Sequence, residues 1–256
     1  MEVLEIKQIP VLRDNYIYMI REPISNHVAV IDPAVGQIVL QKAKQIKWKI
    51  THILNTHHHN DHVGGNLEIK KQTGCKIVGP LYDTKRIPGI DIEVKETQKF
   101  LFGKIECQIL YLPGHTRGHV AYWFKKANAL FCGDTLFSVG CGRVFEGTMK
   151  EMWESLRKLR SLPTDTSVFC AHEYTEQNIK FAISIDPNNE KLKEKEFEVK
   201  SLRAINRPTV PFKIGEELQI NPFLRADDTA LKACLNMPSS KPVDVFTEIR
   251  TLKDNF

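Results

Sequence analysis

Four histidines and an aspartate fall within the six residues His57-His58-His59-Asn60-Asp61-His62 of a 256-residue chain, and that cluster limits what the chain can be. A single imidazole is readily absorbed as a hydrogen-bonded structural residue. Four side by side would each need a partner and would repel one another once protonated. Neutral imidazole and carboxylate are instead standard ligands for zinc, iron or manganese. The cluster directly follows an apolar stretch, residues 52–55, that reads as a strand, and strand ends are where sites are built. From extended backbone His57 and His59, two apart, project toward one point. Asp61 and His62, on the turn that follows, aim at a neighbouring point, and His58 faces away. Gly64-Gly65 lets the backbone bend tightly around them.

Three later positions repeat the arrangement of a ligand type just past an apolar strand. His115 follows residues 105–112, Asp134 follows 129–132, and His172 follows 168–171. Together with the first cluster they supply five histidines and two aspartates, enough for two metal ions sharing one carboxylate. Asp32, at the end of residues 28–31, either orients a ligand histidine from behind or caps its strand. His119 reads as structural or supporting, and His27 and His52 stay unassigned.

Short apolar runs at residues 3–9, 16–20, 28–31, 52–55, 76–78, 105–112, 120–124, 129–132 and 167–171 read as strands, with helices over 38–47 and 148–162. In the second helix Thr148 and Glu151 form a capping box. Strands interleaved with helices predict a layered α/β domain. After His172 the pattern turns helical, over 174–185, 189–206, 228–235 and 242–253, with a Pro-rich connector at 207–222. We therefore expect a domain of residues 1–172 and a smaller, mostly helical one of 173–256. Net charge is +5 and the pI near 8.8, too mild and dispersed for a nucleic-acid stripe. The first ten residues lack the basic and apolar regions of a signal peptide, and no window has the roughly 18 apolar residues of a membrane span. The six cysteines form no CxxC pair. A cytoplasmic protein, monomeric for want of any apolar stripe, is the expectation.

The motif His57-x-His59-x-Asp61-His62 with His115, Asp134 and His172 resembles that of the metallo-β-lactamase fold superfamily. The resemblance implies an αββα sandwich with metals at one edge. It implies one ion on His57, His59 and His115, and another on Asp61, His62 and His172, with Asp134 bridging. Two zinc ions are expected first, and iron and manganese accept the same donors. The lactamases proper place Cys where Asp134 stands. Finer stretches resemble the glyoxalase II (hydroxyacylglutathione hydrolase) family end to end: residues 56–66, Gly133-Asp134-Thr135-Leu136-Phe137, residues 140–147, His172-Glu173-Tyr174-Thr175, Asn221-Pro222-Phe223-Leu224-Arg225 and residues 250–256.

That family implies hydrolysis of S-(2-hydroxyacyl)glutathione thioesters, chiefly S-D-lactoylglutathione, by a hydroxide bridging the metals, with Asp61 and Asp134 as the catalytic carboxylates. It implies glutathione contacts from Arg143, Phe145, His172, Tyr174, Arg250 and Lys253. Arg143 replaces a common Lys, and Phe145 a common Tyr, which removes one hydrogen bond worth ~1 kcal/mol. On residue patterns alone, Arg250 and Lys253 read first as a solvated helix face, favoured by the helix dipole at its C-terminus. The alternative within the fold is an iron-dependent glutathione persulfide dioxygenase, whose members lack the helical domain and its Arg-x-x-Lys ending. No small-molecule partner other than the glutathione thioester, and no nucleic acid or membrane, is implied.

Overall fold

Alternation in β2 (Asn15–Glu22), which follows the hairpin partner β1 (Glu5–Val11), sends Ile17 and Met19 to one face and Tyr18 to the other. Strand β3 (His27–Ile31) pairs antiparallel with β2, and α1 (Gly36–Gln45) then crosses to β4 (His52–Leu54), which runs parallel to β3. The short α2 (Asn60–Val63) and α3 (Asn66–Thr73) lead to β5 (Lys76–Pro80) and β6 (Ile92–Val94), both parallel additions. The parallel strands are apolar on both faces because both are covered. One face packs Val30, Ile53 and Ile77 against Val39 of α1 and Ile69 of α3. The other meets an antiparallel meander of β7 (Lys99–Phe102), β8 (Ile105–Tyr111), β9 (Val120–Phe124) and β10 (Ala129–Gly133). There the ring of Tyr18 lies 5.5 Å from that of Phe131, and the Tyr122 hydroxyl donates to the Asn55 carbonyl at 2.8 Å.

These elements form one compact unit, running to Tyr111 and resuming over Arg117–Gly133. The computed structural model describes residues 3–256; Met1 and Glu2, which head the N-terminal stretch read above, lie outside the described residues. The second unit comprises Leu112–Thr116 and Asp134–Phe256. It holds the hairpin β11 (Leu136–Phe137) and β12 (Gly140–Cys141), then α4 (Met149–Arg160), opened by the expected Thr148–Glu151 capping box. Strand β13 (Ser167–Cys170) precedes α5 (Thr175–Ile185) and α6 (Glu190–Ala204), which Asn189 caps. The Pro-rich connector is more ordered than its composition suggested. It carries β14 (Phe212–Lys213), paired with β13, and α7 (Ile214–Ile220). The unit closes with α8 (Thr229–Cys234) and α9 (Pro242–Asp254), the latter with Pro at its first turn. None of the six cysteines is in a disulfide, and of the six only Cys234 is exposed.

The two unassigned histidines occupy the starts of β3 and β4. Their rings stack at 5.7 Å, and Phe102 presents its edge to both. Burial, and then the neighbouring His27, hold His52 down at about 4. The unfolded chain therefore takes up a proton there, between pH 6.5 and 4, that the native protein refuses. Stability from this residue is complete above pH 6.5 and is lost as pH falls through that window. Urea unfolding is expected to show His52→Phe losing about 2 kcal/mol less than the wild type between pH 7 and pH 5. Equal losses in both proteins would refute the assignment.

Candidate metal centre

In the first unit the chain leaves β4 through Asn55, whose backbone N–H still bonds to the Val78 carbonyl across the sheet. Its side-chain amide donates to the carbonyl of His62 at 3.0 Å, tying the end of the ligand cluster back to the strand. His59 stands at the N-cap of α2, so Asp61 and His62 lie in one helical turn rather than an open bend. His57 Nε2 and His59 Nδ1 are 3.0 Å apart, and the His57 and His62 rings are centred 4.0 Å apart. Asp61 Oδ2 is 3.5 Å from His62 Nε2.

Asp32 fixes how these rings present themselves. Its carboxylate accepts the Thr56 backbone N–H at 2.8 Å, the Thr56 hydroxyl at 2.6 Å and His62 Nδ1 at 3.0 Å. With His62 donating from Nδ1, its Nε2 keeps the lone pair that a metal needs. The Thr56 hydroxyl, spent as a donor to Asp32, can only accept from His57 Nδ1 at 3.1 Å, so His57 also offers Nε2. Asp32 thus holds the candidate ligand His62 by its Nδ1 and His57 through Thr56, an arrangement consistent with the first of the two roles its sequence position allowed. His58 points away to Asp83 at 3.2 Å, as expected, and His119 stacks on His57 at 4.8 Å. Asn15, which no sequence pattern singled out, donates from Nδ2 to Asp61 Oδ2 at 3.0 Å. Gly64 and Gly65 have helical φ values of −56° and −87°, so the bend itself does not need glycine. Close approach does: a Cβ on Gly64 would lie 2.7 Å from the Ala34 carbonyl oxygen, and one on Gly65 2.6 Å from the Gly36 nitrogen.

The second unit gathers the other three ligand types. His115 sits in the turn after β8, Asp134 follows β10, and His172 follows β13. Asp134 Oδ2 lies 3.5 Å from His115 Nε2 and 3.4 Å from His172 Nε2. His115 Nδ1 bonds to the Arg143 carbonyl at 2.8 Å, which again leaves Nε2 as the ligand atom. Ligands bound at about 2.0–2.1 Å in tetrahedral geometry stand roughly 3.3 Å apart. The separations of Asp61 from His62, and of Asp134 from His115 and His172, are close to that edge. The donor set and its spacing therefore fit a metal cofactor, with one Asp134 oxygen facing two histidines at once.

Of the residues expected to bind substrate, Arg143 and Phe145 are exposed, and the Phe145 ring lies 5.2 Å from His115. Tyr174 stacks flat on the candidate ligand His172, with centroids 4.7 Å apart and 5° between planes. Arg250 is not part of a solvated face. It is 3% exposed, donates from Nη1 to the Cys141 carbonyl at 2.9 Å, pairs with Asp254 at 2.9 Å and lies over the Phe223 ring. Lys253 is half-buried between the rings of Phe181 and Phe256. Burial, then the positive charges of Arg250 and Arg143, lower its pKa to about 8. A cation under that strain favours an anionic ligand.

Comparison with known proteins agrees with this chemistry. Residues 11–172 match the metallo-beta-lactamase superfamily, and residues 173–256 match the hydroxyacylglutathione hydrolase C-terminus. The chain is 54% identical over 256 residues to a hydroxyacylglutathione hydrolase of Rhodospirillum rubrum, covering 100% of both chains. It is 52% identical to that of Methylococcus capsulatus, covering 99% of each. Among solved structures, ETHE1 from Myxococcus xanthus superposes with a TM-score of 0.70 at 22% identity, over 96% of this chain and 90% of that one, a likeness of fold alone. Ligand chemistry in both units and full-length similarity converge: the chain belongs to the hydroxyacylglutathione hydrolase (glyoxalase II) family of the metallo-β-lactamase superfamily.

Proposed function

We propose that this protein hydrolyses S-(2-hydroxyacyl)glutathione thioesters, chiefly S-D-lactoylglutathione, to D-lactate and glutathione. The observation that carries the reading is likeness to hydroxyacylglutathione hydrolases along the whole chain, C-terminal part included. The seven ligands His57, His59, Asp61, His62, His115, Asp134 and His172 would hold two divalent ions, zinc first, with Asp134 shared. When bound, such ions bring the pKa of water down toward 7 and take up charge developing on a carbonyl oxygen.

The chain's own residues supply the rest. Asp32, through Thr56 and His62, keeps the ligand nitrogens deprotonated and aimed. The departing glutathione thiolate has a parent pKa of about 8.5 and leaves without a proton donor. What the protein must add is orientation. Arg143, Arg250 and Lys253 supply positive charge for a substrate with two carboxylates, while Phe145 and Tyr174 offer ring faces. The protein acts as a cytosolic monomer on this reading; among the described residues no helix is long and apolar enough to cross a membrane.

The charge on Lys253 gives the reading a pH signature. Lys253 is cationic below about 8 and neutral above it. KM for S-D-lactoylglutathione should rise about three- to tenfold from pH 7 to pH 9 as this charge-assisted contact is lost. Lys253→Gln should start with the higher KM and show little of the rise. A wild-type KM that stays flat over this range would remove Lys253 from the binding site.

The activity itself is tested by following thioester loss and thiol release from S-D-lactoylglutathione, with metal content measured on the same sample. Turnover accompanied by two ions per chain is the expected result. Failure to turn the thioester over, with oxygen uptake on glutathione persulfide and one iron per chain, would replace the hydrolase reading by a dioxygenase.

A further inference from the structure

Between β11 and β12 the backbone makes a tip at Ser138-Val139 that is costly in two ways. Val139, a β-branched residue, has φ +55°, a region such side chains rarely occupy. Its side chain is also wholly buried, packed with Ile179, Ala182, Leu192, Val199 and Ile220 of α5, α6 and α7. The hairpin is driven like a prong into the helical core of its unit.

Side chains from those helices then hold the prong by its backbone. The carboxylate of Glu217, fully buried on α7, accepts the Val139 N–H at 2.7 Å and the Ser138 hydroxyl at 3.0 Å. Asn221 donates to Glu217 at 2.8 Å, to the Phe137 carbonyl at 3.2 Å and to the Gly140 carbonyl at 3.1 Å. Asn178 donates to the Ser138 carbonyl at 3.1 Å, so close that a Cβ on Gly140 would lie 2.4 Å from its Nδ2. A buried carboxylate is an expensive way to shape a turn that an apolar tip already anchors.

What leaves the prong gives that cost a purpose. The Arg143 carbonyl accepts from His115 Nδ1, and the Phe145 N–H bonds to the His115 carbonyl at 3.3 Å. The segment carrying Arg143 and Phe145 is therefore strung between the clamped hairpin and a ligand histidine. We propose that Glu217 is a positioning residue for substrate recognition: it locks the 136–141 hairpin so that the segment leaving it presents Arg143 and Phe145 to the glutathione moiety. This rests on the glutathione-thioester reading above.

Glu217→Gln keeps the shape but turns an amide donor toward groups that are themselves donors. In the metal-loaded protein, the Kd for glutathione measured by calorimetry and the KM for S-D-lactoylglutathione are each expected to rise about tenfold, the order of one buried donor left unpaired. Metal content and kcat should stay within about twofold of wild type, the split that marks lost binding rather than lost chemistry. Unchanged Kd and KM in a folded E217Q would overturn the role, and so would a parallel loss of metal, because Glu217 would then only be maintaining the fold. Should E217Q fail to accumulate as folded protein, Ser138→Ala removes one partner of the clamp. It is expected to raise Kd about two- to threefold, and no rise overturns the role. Wild-type protein inert toward the thioester would instead overturn the underlying activity, whatever the variants do.

Discussion

Asp134→Ala is expected to lower kcat for S-D-lactoylglutathione by about 10³-fold or more, the several kcal/mol of charge stabilisation that a metal centre contributes. It should also leave the purified protein short of metal. The reason lies in one atom. Asp134 Oδ2 stands 3.5 Å from His115 Nε2 and 3.4 Å from His172 Nε2, so removing it takes a shared carboxylate from two imidazoles that would both coordinate. Without that negative charge the residues that would hold two cations offset less of the repulsion between them, and holding both becomes less favourable. Asp134→Asn keeps the shape and an oxygen but not the charge, and it should retain more metal than Ala at a similarly low rate. Metal analysis, a thermal melt and steady-state kinetics on one preparation separate the outcomes. Full metal occupancy with activity within tenfold of wild type would show that Asp134 is not the shared ligand.

The candidate ligand positions were legible in the sequence because each is announced locally, by a metal-binding residue type directly after an apolar strand. All four strands end within a few residues of the candidate ligands: β4 before His57, β8 before His115, β10 before Asp134 and β13 before His172. Other elements carry no such signal. Helix α3 buries only Asn66 and Ile69, too little for a periodic apolar face, and β6 alternates around a single glutamate. The connector at 207–222 looked irregular because prolines hid the α7 turn, whose buried Ile214, Glu217 and Ile220 lie at helical spacing. Long-range polar partnerships were beyond reach altogether. Asn15 meets Asp61 across 46 residues of chain, and Glu217 meets Val139 across 78. Nothing near either residue in sequence indicates that its partner exists. Arg250 was visible through family resemblance, yet residue patterns alone favoured a solvated face. Its burial against Phe223 and its bond to the Cys141 carbonyl come only from tertiary structure.

Asp32→Asn is expected to weaken metal binding by 10- to 100-fold, the usual cost of losing a partner that orients a ligand, while leaving kcat at saturating metal near wild type. Asp32 is 4% exposed and accepts three donors: the Thr56 N–H, the Thr56 hydroxyl and His62 Nδ1. An asparagine in the same place has one oxygen, and its amide group must face at least one of those donors. The hydrogen bond that fixes the His62 tautomer is then weakened. So is the Thr56 hydroxyl's orientation, on which the His57 tautomer depends. Both histidines could then present a protonated Nε2, which cannot ligate. Asp32→Ala goes further, leaving three buried donors unpaired at about 1–3 kcal/mol each, and should lower the melting temperature as well as metal affinity. The two variants together separate orientation from stability. In Asp32→Asn, titration with zinc against a competing chelator should show the affinity loss, and excess metal should restore turnover. If saturating metal leaves Asp32→Asn folded but slow, the carboxylate acts on the reaction itself and not merely on how His57 and His62 meet the ions. Asp32 meets His62 at Nδ1, the ring nitrogen opposite the one left for a metal, so rescue by metal is the result this contact requires.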